Sequence, residues 1–439
     1  MAKTVSLAAL PAGDDLEDYV AALFQAAGYF VEKNLVERDP SDILELDIVA
    51  TNYGEEQSRS ILVEVKGGTW GYPDLFKVVG WMRYLNQPRG AIFVKTSEKD
   101  LEKVRTRISP LGVTLVEFSD FSKSVEVFTE AGFGQSMTAS LVRLWRHSYQ
   151  VERRLAKLIL SRSKSDKEKQ GPKEALRYQR LINDGTFFAR SPEESLGMLY
   201  DAYKEHPKLT LANSLELDGA QYDPFTASVP SKLLQQAMTD GEHPYLQACM
   251  FVEHRARLAI LKAAVDYATA NPTGPLITKE GTHTWIVPNI YSLPKSFKDA
   301  MHWLRNQPNF RRYATFWQQF MWGWGGFYLE DRREKEFAWM AEYSGIPVEE
   351  IPTALQAFDK FFPVQGGWFV TPGYTCATRA KMTPAFFHGI GAHHRRQEYE
   401  LKEGFRALSS SGYTENDLNK WNNCTVAYLR SRNGITRAR

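Results

Sequence analysis

The chain has little cysteine: three residues, Cys249, Cys376 and Cys424, far apart and odd in number. That argues against a disulfide framework and against a cysteine zinc site. No stretch approaches the roughly 18 apolar residues of a membrane span. The N-terminus lacks a signal peptide's basic start, apolar run and small-residue cleavage site. The expectation is a reduced, cytoplasmic protein with no membrane partner. Net charge is only +2, so affinity for a polyanion has to come from local clustering. Neither a Walker A motif nor a dinucleotide glycine fingerprint is present, so the chain is not its own ATP motor.

What is there is a globular composition, 43% hydrophobic and 24% charged, with aromatics high at 13%. At 439 residues the chain exceeds one ordinary core, and two or three domains are expected. The N-terminal part alternates helix and strand signals. Asp14 and Asp15 are placed to cap a helix whose apolar stripe is Leu16, Val20, Leu23 and Phe24, and Gly28 ends it. β-like runs follow at Tyr29–Val36, Ile43–Ala50 and Ser60–Lys66, the last two joined by a polar turn around Asn52-Tyr53-Gly54-Glu55. Pro73 opens a helix, Ala91–Lys95 reads as strand, Lys99–Ile108 as helix and Val113–Phe118 as strand. The order αβββαβαβ implies an α/β domain over residues 1–118.

Residues 119–135 read as a linker, and 136–439 as a mainly α-helical region of one or two subdomains. Helices are expected at Met137–Leu160, Pro192–Glu205, Leu246–Ala270, Tyr313–Tyr343, Glu349–Phe361, Arg395–Ser409 and Asn416–Arg430, a strand at Thr284–Ile290, and a charged loop at Ser161–Pro172.

The residues that suggest chemistry are Asp47, in Glu45-Leu46-Asp47-Ile48-Val49-Ala50, and Glu64 and Lys66, in Leu62-Val63-Glu64-Val65-Lys66. Strand side chains alternate faces, so Glu64 and Lys66 emerge on the same side. Burying such charges in an apolar strand costs free energy unless they are compensated. If the two strands form a hairpin, Asp47 lies near Glu64. Two neighbouring carboxylates repel unless they share a cation, and hard oxygen donors suit Mg²⁺ or Mn²⁺. Such a centre fits phosphodiester hydrolysis. Lys66 would orient the attacking water, or act as its base if its pKa were lowered. The competing reading is a buried ion network with no catalysis.

A helix bearing Glu17, then Gly28-Tyr29-Phe30-Val31-Glu32-Lys33, then the Asp47 strand, then Glu64-Val65-Lys66-Gly67 resembles the Mrr-like branch of the PD-(D/E)xK, or restriction-endonuclease-like, superfamily. The resemblance covers about a quarter of the chain. It implies a restriction-endonuclease-like fold with a mixed sheet, Mg²⁺-dependent cleavage of DNA or sometimes RNA, and a restriction or anti-phage defence setting. Asp47 and Glu64 would be metal ligands, Lys66 the catalytic lysine and Glu17 the helical acid. For Glu17 the rival reading is a surface glutamate favoured by the helix dipole. Many Mrr-like members carry a glutamine in the next helix; here Tyr72, Asp74 and Lys77 occupy that neighbourhood, and the glutamine's role is not carried over.

Twelve lysines and arginines crowd Met137–Arg180, among them Arg143, Arg146, Arg153, Arg154, Lys157 and Lys164, against four acids. They are candidates for gripping a nucleic-acid backbone, DNA in preference to RNA, set against an ordinary solvated face. The aromatic run from Phe316 to Tyr328 reads as core packing or a dimer contact, with base stacking the alternative. His388, His393 and His394 have no acidic partner at ligand spacing. The Arg430–Arg439 tail fits a binding arm or a disordered end equally. Partners expected on these grounds are nucleic acid, a second copy of the chain, and a trigger protein sensed by the helical region. The alternatives are a catalytically silent nucleic-acid-binding scaffold and a gated effector.

Overall fold

In a computed structural model of the protein, the residues described are 4–5, 7–37, 43–54, 59–95, 100–134, 137–139, 141–150, 152–153, 191–205, 243–272, 293, 295–322, 327–328, 333–361, 367–369, 377–379 and 413–414. Two compact units divide the chain, one built on Leu7–Gln150 and the other mainly on the residues that follow.

The first unit opens with α1, Asp14–Ala26. Gly13, with φ 55°, takes the cap position and makes no side-chain cap bond. Asp14, Asp15 and Glu17 therefore fall inside the first turn, where the helix dipole favours acids. This corrects the expectation that the aspartates cap. At the other end Gly28 holds φ 87°, a left-handed conformation that any side chain would strain.

Strands β1 (Phe30–Glu37), β2 (Leu44–Asn52) and β3 (Arg59–Lys66) form an antiparallel meander. Helix α2 (Tyr72–Tyr84) then carries the chain to β4 (Arg89–Val94), and α3 (Leu101–Ile108) carries it to β5 (Val113–Glu117). Both of these strands add in parallel, giving a mixed five-stranded sheet in the order β1-β2-β3-β4-β5. The unit is thus an α/β domain.

Alternation along the strands sends side chains to two cores. Leu62, Ile92 and Leu115 pack against Leu75, Val78 and Trp81 of α2 and Val104 and Ile108 of α3. Helix α2 sits hard on β4: a Cβ at Gly90 would lie 2.6 Å from Val78 Cγ1 and 2.7 Å from Met82 Sδ. On the opposite face Phe24 and Phe93 meet with ring centroids 5.7 Å apart.

Of residues 119–135, expected as a linker, the described part, 119–134, instead completes that second core. It holds a short helix, α4 (Ser124–Glu130), whose Phe128 lies 4.9 Å from Phe24, and Phe133 lies 5.7 Å from Phe93. Residues 141–150 are helical and belong to the same unit. There Tyr149 donates to Gln25 Oε1 at 3.1 Å, tying this helix to α1.

The second unit is mostly helical: α5 (Pro192–Glu205), α6 (His243–Ala270), α7 (Lys295–Arg305), α8 (Tyr313–Trp322), α9 (Arg333–Ser344) and α10 (Ile351–Phe361). The single helix expected over Tyr313–Tyr343 is broken: α8 stops at Trp322, and Phe327–Tyr328 is a short strand. The glycines Gly323, Gly325 and Gly326 between them are poor helix formers. The aromatic run is core where it is described: Trp317 is fully buried and its indole N–H donates to the Ala354 carbonyl at 2.8 Å.

Ser161–Pro172, Thr284–Ile290, Arg395–Ser409, Asn416–Arg430, the three C-terminal histidines and the arginine tail lie outside the described residues. Among the described residues no helix is long and apolar enough to cross a membrane.

Candidate active site

The ladder between β2 and β3 runs from Asn52 opposite Arg59 to Ile48 opposite Val63, and ends there. Strand β3 continues, paired with β4 through Glu64, Val65 and Lys66. Just past the last rung, Asp47 turns its carboxylate across the opening, and Oδ2 accepts the Val65 N–H at 2.8 Å. The side chain supplies the acceptor that a continued ladder would have supplied, so no buried donor is orphaned where the strands part.

Glu64 is 1% exposed. Its Oε1 receives two ammonium groups, Lys66 Nζ at 2.5 Å and Lys77 Nζ at 2.9 Å. Its Oε2 is buried and, among the described residues, has no hydrogen-bond partner. Lys66 also reaches Asp74 at 3.6 Å. Asp74 is itself fixed, because its other oxygen accepts the Gly71 N–H at 2.7 Å at the start of α2. Lys77 comes from the same helix one turn later and lies over the Trp81 ring, 4.3 Å from its centroid.

The electrostatics follow from this crowding. Burial, then the Glu64 charge, raises the Asp47 pKa to about 7, against the Val65 hydrogen bond and Lys77, which pull it down. The charge of Glu17 is felt at Asp47 as well, in the raising direction. Glu17 is half-buried, and burial raises its own pKa, opposed by Lys33 and reinforced by Asp14, Asp18 and Glu45. The first-turn glutamate is therefore part of the same acidic field rather than a solvated surface group.

Burial works against the Lys66 ammonium, but the bond to Glu64 and the charges of Glu64, Asp74 and Asp47 outweigh it, and its pKa is raised. Lys66 is an ammonium, suited to orienting an oxygen or neutralising charge.

The fold thus brings Asp47, Glu64 and Lys66 to one opening in the sheet, with Glu17 within electrostatic reach. Among the described residues no three histidine, cysteine or acidic groups are arranged as a finished metal cage. Asp47 and the unpartnered Glu64 Oε2 nonetheless present oxygen donors of the kind a hard divalent cation takes.

The basic residues fare differently. Arg146 is half-buried; it donates to the Ala8 carbonyl at 2.8 Å and covers the Tyr19 ring at 4.8 Å, so it is built into the packing of α1. Arg143 and Arg153 are half-buried, and Arg154, Lys157 and Lys164 lie outside the described residues.

Two features were missed in the sequence. Lys77 was left without a role, although Asp74, Lys77 and Trp81 are spaced three and four residues apart on one helical face. Lys33, unremarkable in a strand, is buried and forms an ion pair with buried Asp18 of α1.

Compared with models of protein families, with curated proteins and with solved structures, the chain finds no match in any of the three.

Proposed function

We propose that the Leu7–Gln150 unit is a PD-(D/E)xK, restriction-endonuclease-like nuclease domain of the Mrr-like kind, hydrolysing phosphodiester bonds of DNA or RNA with Mg²⁺, for which Mn²⁺ can substitute. The observation that carries this reading is the meeting of Asp47, Glu64 and Lys66 where the β2–β3 ladder ends, with a buried Glu64 oxygen that has no hydrogen-bond partner among the described residues.

Asp47 and Glu64 would hold the cation. When bound, it supplies Lewis acidity to the scissile phosphate and lowers the pKa of a bound water. Asp47, with a pKa of about 7, offers its carboxylate around neutral pH. Lys66, an ammonium in the metal-free site, would orient the nucleophile or neutralise charge at the phosphate, or act as base if the bound cation lowered its pKa. Glu17, whose charge is felt at Asp47, would complete the acidic surroundings of the cation. The helical unit would bind substrate, pair two copies or sense a trigger. A restriction or anti-phage defence setting in the cytoplasm rests on the family resemblance alone.

The test is cleavage of plasmid DNA, single-stranded DNA and RNA by the full chain with Mg²⁺, Mn²⁺ or EDTA. Cutting should need the metal and fall by about a hundredfold or more in Asp47→Ala and in Lys66→Ala. Undiminished cutting by either folded variant sinks the site assignment.

One observation favours a second reading, a silent nucleic-acid-binding scaffold: two lysines already neutralise Glu64. That protein would bind the same substrates and cut none of them under any metal.

A further inference from the structure

Two ammonium groups converge on one oxygen of Glu64, in a cluster whose acids also include Asp74 and Asp47. A buried carboxylate needs compensation, but one well-placed lysine gives most of it. The second cation therefore calls for an explanation of its own.

The two lysines are held unequally. Lys66 is gripped from two sides, by Glu64 at 2.5 Å and Asp74 at 3.6 Å, and its side chain is 28% exposed. Lys77 has one carboxylate partner, at 2.9 Å, and a side chain 42% exposed. Its remaining contact is the face of Trp81, an attraction that tolerates some sliding of the ammonium. Lys77 also acts on the other acid: its charge is among those lowering the Asp47 pKa. It touches one of the two carboxylates assigned to the cation and acts on the other through its charge, and it is the more exposed of the two lysines.

We propose that Lys77 is an internal counter-ion that stands in for the divalent cation at Glu64 and leaves when that cation binds. This rests on the metal site proposed above and adds a regulatory residue to it. A divalent cation arriving beside Asp47 and Glu64 meets two positive charges within a few ångströms, and like charges at such range repel strongly when partly desolvated. Lys66 stays between its two acids; Lys77 swings away along α2. The metal-free site is thereby kept neutralised, and the protein's affinity for Mg²⁺ is set below what its two carboxylates alone would give. The positioning residue for metal binding is thus on a helix, outside the Asp47, Glu64 and Lys66 constellation.

The experiment is calorimetric titration of the full chain with Mn²⁺ and Mg²⁺, without nucleic acid, for wild type, Lys77→Met, Lys77→Gln and Asp47→Ala. Both Lys77 variants should bind roughly tenfold tighter than wild type, a shift of the size one partly screened charge exerts. The two substitutions guard against a local packing fault in either one, and a thermal melt checks that each is folded. Wild-type binding that Asp47→Ala abolishes, with unchanged or weaker affinity in both Lys77 variants, overturns the counter-ion role and leaves the metal site standing. No metal binding by wild type or either Lys77 variant overturns the metal site and this inference with it.

Discussion

Two buried ionic clusters sit on the one five-stranded sheet, and they are built on opposite plans. Toward α1, Lys33 of β1 pairs with Asp18, side chains 8% and 4% exposed, and Tyr149 covers the ammonium with its ring centroid 4.7 Å away. Toward α2, Glu64 faces two lysines, one of them 42% exposed, while Asp47 stands close enough to have its pKa raised by it. The first cluster is closed, a lysine on an aspartate with both side chains buried. The second gathers two lysines on one oxygen of Glu64 among three carboxylates, Glu64, Asp74 and Asp47, and is open to solvent at Lys77. Pairing with closure is what a structural ion pair requires. Crowding with access is what a site that exchanges ligands requires. Composition does not separate the two, since each is lysine with acid; their surroundings do.

The largest effect that would sharpen the contrast is at Lys33. Lys33→Met takes the paired ammonium away from buried Asp18, and a loss of about 3–5 kcal/mol is expected. Urea melts at neutral pH measure it. A loss below about 1 kcal/mol would mean that the closed cluster is not structural, and the comparison would collapse.

Next in size is the pH dependence that Asp47 imposes on the metal-free protein. Its folded-state pKa is raised from 3.8 to about 7, so between those values the folded state binds more protons than the unfolded one. The contribution is fully present below about pH 4 and is lost as pH rises through about 7. Asp47→Asn removes the titrating group while its side-chain oxygen can still accept the Val65 N–H. In EDTA the variant should match wild type near pH 4 and exceed it in stability at pH 8. Equal stability at pH 8 would show that Asp47 does not carry the burden its surroundings imply.

Much of this unit was legible in sequence, for reasons that also explain what was not. The apolar stripe of α1 and the alternation in β2 and β3 placed those elements within a residue or two, because each pattern records a buried face directly. Asp47 and Glu64 stood out as acids in apolar strands. What stayed hidden depends on geometry between elements. Asn34 has φ 54° and stands between buried Lys33 and buried Leu35, and nothing in the pattern of β1 marks Lys33 as half of a buried ion pair. That the ladder stops at Ile48, leaving Asp47 to bond Val65, is a matter of strand divergence that no pattern encodes. Lys77 reaches Glu64 only because α2 lies directly on β4, which Gly90 permits. The phenylalanines at 128 and 133 did carry a signal, and reading 119–135 as linker overlooked it.

The smallest effect is the most discriminating. Lys66→Met removes an ammonium from a buried carboxylate, as Lys33→Met does, and a view based on burial alone assigns both the same cost. Here, however, Lys77 remains 2.9 Å from Glu64 Oε1, and Lys66 is 28% exposed, so solvent already screens part of its charge. The expected loss is within about 1 kcal/mol, from a residue whose removal should abolish cleavage. Urea melts of the two methionine variants, run side by side, set the scale. A loss from Lys66→Met as large as that from Lys33→Met would make the α2 cluster a second structural pair and remove the ground for treating it as a site. Near-indifference of the fold to Lys66 would place its importance in chemistry, because a half-open cluster that keeps a second lysine on Glu64 can lose one cation and stay folded.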